Sequence, residues 1–277
     1  MQYEKKSDGI RIIGKEDFNP EHILECGQIF RYKKNSLGEY VVYSKEYCAV
    51  IKEDNDGYFI KTKAVDYFVN FFDLQTDYSN IKKQLNNIAP YVNEAIESGH
   101  GIRILRGDLF EIIVSFIISA NNNIKRIKLI IERLCERVGT NMGNYYAFPT
   151  MEQFFELDEK FFKEIGAGYR ASYLASLKND FDLILSNNFG AMSSDIVRDN
   201  LIKIKGVGPK VADCILLFGL YKTDVFPVDV WMERVYYEQF GNGQLTRPQI
   251  SKDLTNRFGC LSGYLQQYLF YHRAIKK

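Results

Sequence analysis

The hydrophobic period of this chain changes once, between about residues 62 and 64, and that change restricts the folds open to it. Before it, the runs "GIRII", "GEYVVYS", "YCAVIK" and "GYFIKT" are short, β-branched or aromatic, and separated by Gly, Asn and Asp turn signals. Runs of this kind pair most readily as an antiparallel sheet. After it, apolar residues recur at helical spacing. "LFEIIVSFIISA" (109–120) is apolar all round and predicts a buried helix. "IKRIKLIIERLCERV" (124–138) is amphipathic, with Ile127, Ile130, Ile131 and Leu134 on one side. Further helices are predicted at about 151–165, 170–187, 193–203, 210–220, 230–239, 247–258 and 262–275. Strands followed by helices, without alternation, give an α+β class. The expected division is an N-terminal antiparallel sheet domain with short helices over 1–100 and a helical body over 101–277, with no long linker and no solenoid repeat.

Hydrophobic residues make up 46% of the 277, as in an ordinary globular protein. No apolar run approaches the roughly 18 residues of a membrane span. The stretch Met1-Gln2-Tyr3-Glu4-Lys5-Lys6 lacks the apolar core of a signal peptide, so the chain is expected to stay where it is made. Cys26, Cys48, Cys135, Cys214 and Cys260 are dispersed, with no CxxC pair, and read as reduced thiols. His22, His100 and His272 are too few and too far apart to suggest a zinc site, so no metal or other cofactor is expected. A net charge of +1 argues neither for nor against nucleic acid; a DNA-binding surface would have to be local. Lys203, Lys205 and Lys210 fall in one acid-free stretch, and Lys125, Arg126 and Lys128 in another. Each on its own reads first as a solvated helix face, and as a phosphate site second.

The segment "IKGVGPKVADC" (204–214) sits between two predicted helices. Gly206 and Gly208 let the backbone approach a ligand closely, and N–H groups at the start of the second helix suit a phosphate. Pro209 fits the first helical position, having no N–H to satisfy. A tight helix–helix turn would need the same residues. Lys210 stands at the positive end of the helix dipole, where its ammonium form is disfavoured. A lysine so placed is a candidate nucleophile able to form a Schiff base with a sugar carbon. The plain alternative is a surface pair with Asp213 at i,i+3, worth about 0.2–0.5 kcal/mol.

Three more positions complete the pattern. Lys210 and Cys214 are i,i+4 and share a helix face. In "YLQQYLF", Gln266 and Phe270 are also i,i+4 and would present an amide and a ring to a planar, hydrogen-bonding base; core packing is the alternative for each pair. Asp229, in "VFPVDVWMERV", directly precedes a predicted helix, so N-capping is its default role. A cap carboxylate held ionised there could also stabilise developing positive charge.

With these residues in view, the chain resembles the 8-oxoguanine DNA glycosylase/AP lyases of the helix-hairpin-helix–GPD superfamily, in the eukaryotic-type branch. "GVGPKVADC" followed by "PVDV" resembles that family's hairpin, catalytic lysine and catalytic aspartate. "ECGQIFRY" (25–32), "SANNNIKRI" (119–127) and "GAGYRASYL" (166–174) resemble its other signature segments. The resemblance implies a TBP-like N-terminal sheet domain, two mostly α-helical domains, and a helix-hairpin-helix at about 193–220. It implies Lys210 as the nucleophile attacking C1′ and Asp229 as its assistant. It implies that Cys214 and Phe270 sandwich a flipped base, that Gln266 bonds its Watson–Crick edge, and that the carbonyl of Gly27 accepts the N7–H of oxidised guanine. Asn121, Arg126 and Arg170 would contact the estranged cytosine, Tyr169 would wedge the stack, and Gly206 and Gly208 would contact the DNA backbone. The implied enzyme is a bifunctional N-glycosylase and apurinic/apyrimidinic-site lyase of base excision repair, excising 8-oxoguanine opposite cytosine through a lysine Schiff base and β-elimination.

The implied partner is duplex DNA, bound by an intracellular monomer without membrane association, in the cytoplasm or nucleoid if the source is bacterial. One departure stands out. Trp231 follows "PVDV", where family members often carry a histidine, which removes one phosphate contact and leaves the chemistry intact. The iron–sulfur branch of the superfamily needs four closely spaced C-terminal cysteines, and this chain has only Cys214 and Cys260 after the hairpin. A monofunctional alkylbase glycosylase would not need Lys210. A non-catalytic hairpin module would not need Asp229, "CGQ" or "NNN".

Overall fold

The computed structural model describes residues 1–86, 88–185, 189–241 and 243–275. Strands β1 (Gln2–Lys6), β2 (Gly9–Ile13), β3 (Tyr32–Lys34), β4 (Tyr40–Ser44), β5 (Tyr47–Asp54) and β6 (Gly57–Lys61) form one antiparallel sheet in the order β1-β2-β6-β5-β4-β3. Ile10 and Ile12 of β2 register with Ile60 and Tyr58 of β6, and all four are buried. The period of two therefore delivers one face of the sheet to the core. Strand β1, "QYEKK", lies at the edge with mostly exposed side chains, so it carries no alternation that could announce it. Edge strands bearing lysine resist pairing with other chains.

Four short helices follow or interrupt the sheet: α1 (Pro20–Leu24), α2 (Val65–Phe71), α3 (Tyr78–Leu85) and α4 (Pro90–Ser98). The helical body comprises α5 (Leu109–Ser119), α6 (Ile124–Val138), α7 (Met151–Phe155), α8 (Glu159–Glu164), α9 (Ala171–Leu185), α10 (Ser194–Leu201), α11 (Pro209–Gly219), α12 (Val230–Gln239), α13 (Arg247–Phe258) and α14 (Ser262–Ile275). The class is α+β, as the change of period requires. The single helix expected over 151–165 is two. Thr150 and Gln153 form a capping box at the first, while the Asp158 carboxylate accepts Phe161 N–H at 2.8 Å and starts the second. The helix expected over 170–187 follows a one-turn 3₁₀ segment at Gly168–Arg170, and positions 186 and 187 lie outside the described residues. Among the described residues, no helix is long and apolar enough to cross a membrane.

Helix α5 is the centre of the body, buried along almost its whole length as its all-round apolarity demands. Its Phe116 stacks on Phe218 of α11 with ring centroids 5.6 Å apart. Helix α14 packs against α4, which follows the sheet, and so links the two halves of the chain. Arg103, wholly buried between them, donates to the carbonyls of Asp17, Phe72, Asp73 and Thr76 and lies over the Tyr78 ring at 4.0 Å. A buried guanidinium satisfied by carbonyls is costly to disturb, because each unpaired donor would then be stranded.

Candidate active site

The turn between α10 and α11 is built by its two glycines for different reasons. Gly206 has φ +91, and a Cβ there would lie 2.5 Å from Cδ2 of Tyr173, so only glycine fits. Gly208 is the N-cap of α11 with extended backbone, and a Cβ on it would meet nothing within 4 Å. It supplies no side-chain acceptor to the first turn of α11, and Pro209 occupies N1. The first N–H groups of that helix thus face an open approach.

Lys210 follows at the start of α11, with Nζ 5.4 Å from the centre of the Phe116 ring. The surface pair with Asp213 is not formed. The Asp213 carboxylate instead accepts Nε–H of Arg198 at 2.6 Å and faces Ser251 Oγ at 3.4 Å. Burial pushes the Asp213 carboxyl up to about 6 against the pull of Arg198. Cys214, one turn beyond Lys210, is buried; burial raises its thiol to about 11, with Lys210 pulling it down. Asp229 caps α12, its Oδ1 accepting Trp231 N–H and Met232 N–H at 2.9 Å each.

Two clefts meet at Asp229. One, of about 740 Å³, is lined by Asn121, Lys210, Asp213, Asp229, Trp231 and Arg247 among others. Its neighbour, of about 770 Å³, is lined by Asn122, Lys125, Asp229, Trp231, Phe270 and Arg273 among others. Beneath them Lys210 and Asp229 also border a small cavity of about 30 Å³, walled by Gly27, Cys214, Gln266 and Phe270. The space suits one water. A Cβ on Gly27, whose φ is +78, would lie 3.3 Å from Cε1 of Phe270. A nucleobase can enter only as side chains part, and Phe270 borders both the cavity and one of the clefts.

The structure therefore brings six of the sequence-selected residues, from four separate segments, to one cavity. It also adds lining that sequence spacing missed: Cys26, Phe116, Phe218, Pro227 and Gln267. Of these, Cys26 and Gln267 adjoin selected residues in sequence, but neither stands at the spacing that selected them. Phe116, Phe218 and Pro227 carried no signal beyond apolar packing.

The remaining selected residues assemble beside the larger cleft. Asn123 caps α6 by accepting Arg126 N–H at 2.9 Å, and Asn121 adopts φ +50 just before it. The exposed Arg126 reaches across to donate to Gly166 O at 3.1 Å. Tyr169 is 53% exposed and donates its hydroxyl to Ala120 O at 3.1 Å. Arg170 is only 3% exposed. Its guanidinium donates to the carbonyls of Ala120, Asn121 and Ala167 and lies 4.4 Å from the Tyr169 ring centre. Arg170 thus clamps the "NNN" turn from beneath, while Asn121, Arg126 and Tyr169 face outward. Of the second basic cluster, Lys128 is withdrawn over the Tyr32 ring, 3.2 Å from its centre.

Comparisons with known proteins match the chain over most of its length. Residues 10–113 match the 8-oxoguanine DNA glycosylase N-terminal domain, and residues 114–259 the HhH-GPD superfamily of base excision DNA repair proteins. An N-glycosylase/DNA lyase of Saccharomyces cerevisiae is 31% identical over 265 residues, spanning 80% of this chain and 68% of that protein. A probable N-glycosylase/DNA lyase of Methanothermobacter thermautotrophicus is 30% identical over 229 residues, spanning 73% and 72%. The solved structure of Clostridium acetobutylicum 8-oxoguanine glycosylase/lyase, in complex with double-stranded DNA containing cytosine opposite 8-oxoG, superposes with a TM-score of 0.90. It is 35% identical, covering 100% of this chain and 98% of that one.

Proposed function

This chain belongs to the 8-oxoguanine DNA glycosylase branch of the HhH-GPD superfamily of N-glycosylase/DNA lyases, and from that membership we propose that it excises 8-oxoguanine opposite cytosine from duplex DNA through a Schiff base on Lys210. The observation that carries the reading is the shared border of Lys210 and Asp229. Both line the open cleft and the small cavity walled by Gly27, Cys214, Gln266 and Phe270. A nucleotide whose base lay in the cavity would hold its sugar carbon beside the lysine.

The chemistry follows from those positions. The amine of Lys210 attacks C1′ through its lone pair as the bond from C1′ to the base breaks; the bonding pair leaves with the base, which takes up the proton that the nitrogen sheds. The Asp229 carboxylate stabilises the positive charge that builds on the sugar. The nitrogen lone pair then forms the double bond to C1′ as the bond from C1′ to O4′ breaks, O4′ takes up a proton, and the Schiff base results. Removal of a C2′ proton then expels the 3′ phosphate and nicks the strand. The Gly206–Gly208 turn holds the backbone, Tyr169 fills the vacated stack, and Asn121 and Arg126 take the cytosine, whose O2 and N3 are acceptors, while the buried Arg170 holds the turn that carries Asn121. The working unit is a monomer bound to duplex DNA.

Borohydride trapping tests this reading. The protein is expected to form a covalent adduct on duplex DNA carrying 8-oxoguanine opposite cytosine, and Lys210→Gln to abolish it. An undiminished adduct in that variant removes Lys210 as nucleophile.

A further inference from the structure

Gln267 is 2% exposed and borders the base cavity beside Gln266 and Phe270. Its Nε2 donates to Gln266 Oε1 at 2.7 Å, which joins the two carboxamides into a dyad. Its own Oε1 is buried and has no hydrogen-bond partner among the described residues. A stranded buried acceptor of this kind is destabilising unless a donor reaches it. Both carboxamides border the cavity, whose occupant under the proposed function is a purine.

We propose that Gln267 is a specificity-determining residue whose orphan oxygen accepts a hydrogen bond from the exocyclic 2-amino group of the flipped base. This rests on the reading of the site as a base pocket. A guanine-type Watson–Crick edge presents two adjacent donors, the N1–H and the 2-amino group. The dyad presents two adjacent acceptors, because Gln266 Oε1 retains one lone pair after accepting from Gln267. The bond between the amides also fixes which end of Gln266 is its oxygen, so Gln267 positions the first acceptor and supplies the second. An adenine-type edge offers an acceptor at N1 and only its 6-amino group as a donor, and would leave at least one oxygen of the dyad unpaired. A site that buries polar groups in this way rejects a base lacking their partner more strongly than a merely apolar slot would.

The test compares 8-oxoguanine with 8-oxohypoxanthine, which keeps N1–H and lacks the 2-amino group, each opposite cytosine in the same duplex. Single-turnover base release is followed for the full chain, Gln267→Met and Gln267→Glu. The wild type is expected to favour 8-oxoguanine by tenfold or more. Gln267→Met should slow both reactions, because Gln266 loses the donor that positions it, and should bring the ratio near one. Gln267→Glu cannot donate to Gln266 but keeps an acceptor for the 2-amino group, so it should slow both and retain most of the ratio. Thermal unfolding of each variant separates a folding defect from a change in the ratio. A wild-type ratio near one, or an undiminished ratio in Gln267→Met, overturns the assignment and leaves the oxygen to a trapped water. Failure of the wild type to release 8-oxoguanine at all would instead overturn the underlying function.

Discussion

Arg198 on α10 holds the Asp213 carboxylate of α11 at 2.6 Å, one helical turn beyond Lys210. The contact ties together the two helices of the hairpin, and Ser251 adds α13 to the same group. It also settles which base the Asp213 carboxylate neutralises. Local spacing allowed a pair between Lys210 and Asp213, but a guanidinium from across the hairpin occupies that carboxylate. The lysine is left facing Phe116, Cys214 and the cleft.

Breaking this pair should be expensive and pH-dependent. Arg198→Ala leaves a buried carboxylate without its cation, and a loss of about 3–5 kcal/mol at neutral pH is expected in urea denaturation. Because burial holds the Asp213 carboxyl at about 6, above its ordinary value of 3.8, the folded protein retains a proton that the unfolded chain has released between those two pH values. Its contribution to stability is therefore full below about pH 4 and is lost as pH rises through 6. Asp213→Asn should flatten that slope between pH 4 and 6, and Arg198→Ala should steepen it. Identical slopes in all three proteins would show that this carboxyl is not the group responsible.

Gly27 is confined by its positive φ and by Phe270. An alanine there costs roughly 1–2 kcal/mol of backbone strain and pushes its Cβ into the Phe270 ring edge. We expect Gly27→Ala to unfold a few degrees lower and to release 8-oxoguanine at least tenfold more slowly. Nicking of a preformed abasic site needs no base in the cavity and should fall much less. Parallel single-turnover assays on the two substrates would check this, and equal losses on both would count against a base-reading role for Gly27.

The two arginines assigned to cytosine should behave differently. Arg126 is exposed with a single backbone acceptor, so Arg126→Ala should leave unfolding unchanged and reduce the preference for cytosine over the other opposite bases by roughly 10- to 100-fold. Arg170 is the clamp beneath the "NNN" turn, and its removal strands the carbonyl of Asn121 and leaves that of Ala120 to the Tyr169 hydroxyl alone. Arg170→Ala should lower both the melting temperature and the preference. Excision rates opposite all four bases, with calorimetry, separate the cases; a preference untouched in both variants would sink the assignment.

The legible parts of this molecule are those written in local spacing. Helices α13 and α14 begin and end where the sequence placed them, because Thr246 and Gln249 form a capping box and Gly259 breaks the chain between the helices. The edge strand β1 and the break between α7 and α8 were not legible. One carries no alternation, and the other depends on two caps inside a continuous apolar pattern. The same division holds at the site. Pairs at i,i+4 such as Lys210 with Cys214 and Gln266 with Phe270 were readable from helical geometry, and each pair does line one cavity. Gln267 was not, because a residue one step along a helix points about 100° away and looks like the wrong face. Nor was the Arg198 contact with Asp213, which depends on how the hairpin closes.

The hairpin glycines provide a separation of fold from binding. Gly206→Ala places a Cβ against Tyr173 in a left-handed conformation and should destabilise the turn by about 1–3 kcal/mol, with DNA binding lost in proportion. Gly208→Ala meets no atom of the protein and requires no unusual backbone, so its melting temperature should stay within a degree or two of wild type. If the space before Gly208 is where a DNA phosphate sits against the N–H groups of α11, the added methyl intrudes on that approach. Binding of duplex DNA by Gly208→Ala, measured by fluorescence anisotropy at fixed salt, should then weaken several-fold in a protein of undiminished stability. Wild-type affinity in this variant would place the DNA backbone elsewhere, and would leave both glycines to the turn alone.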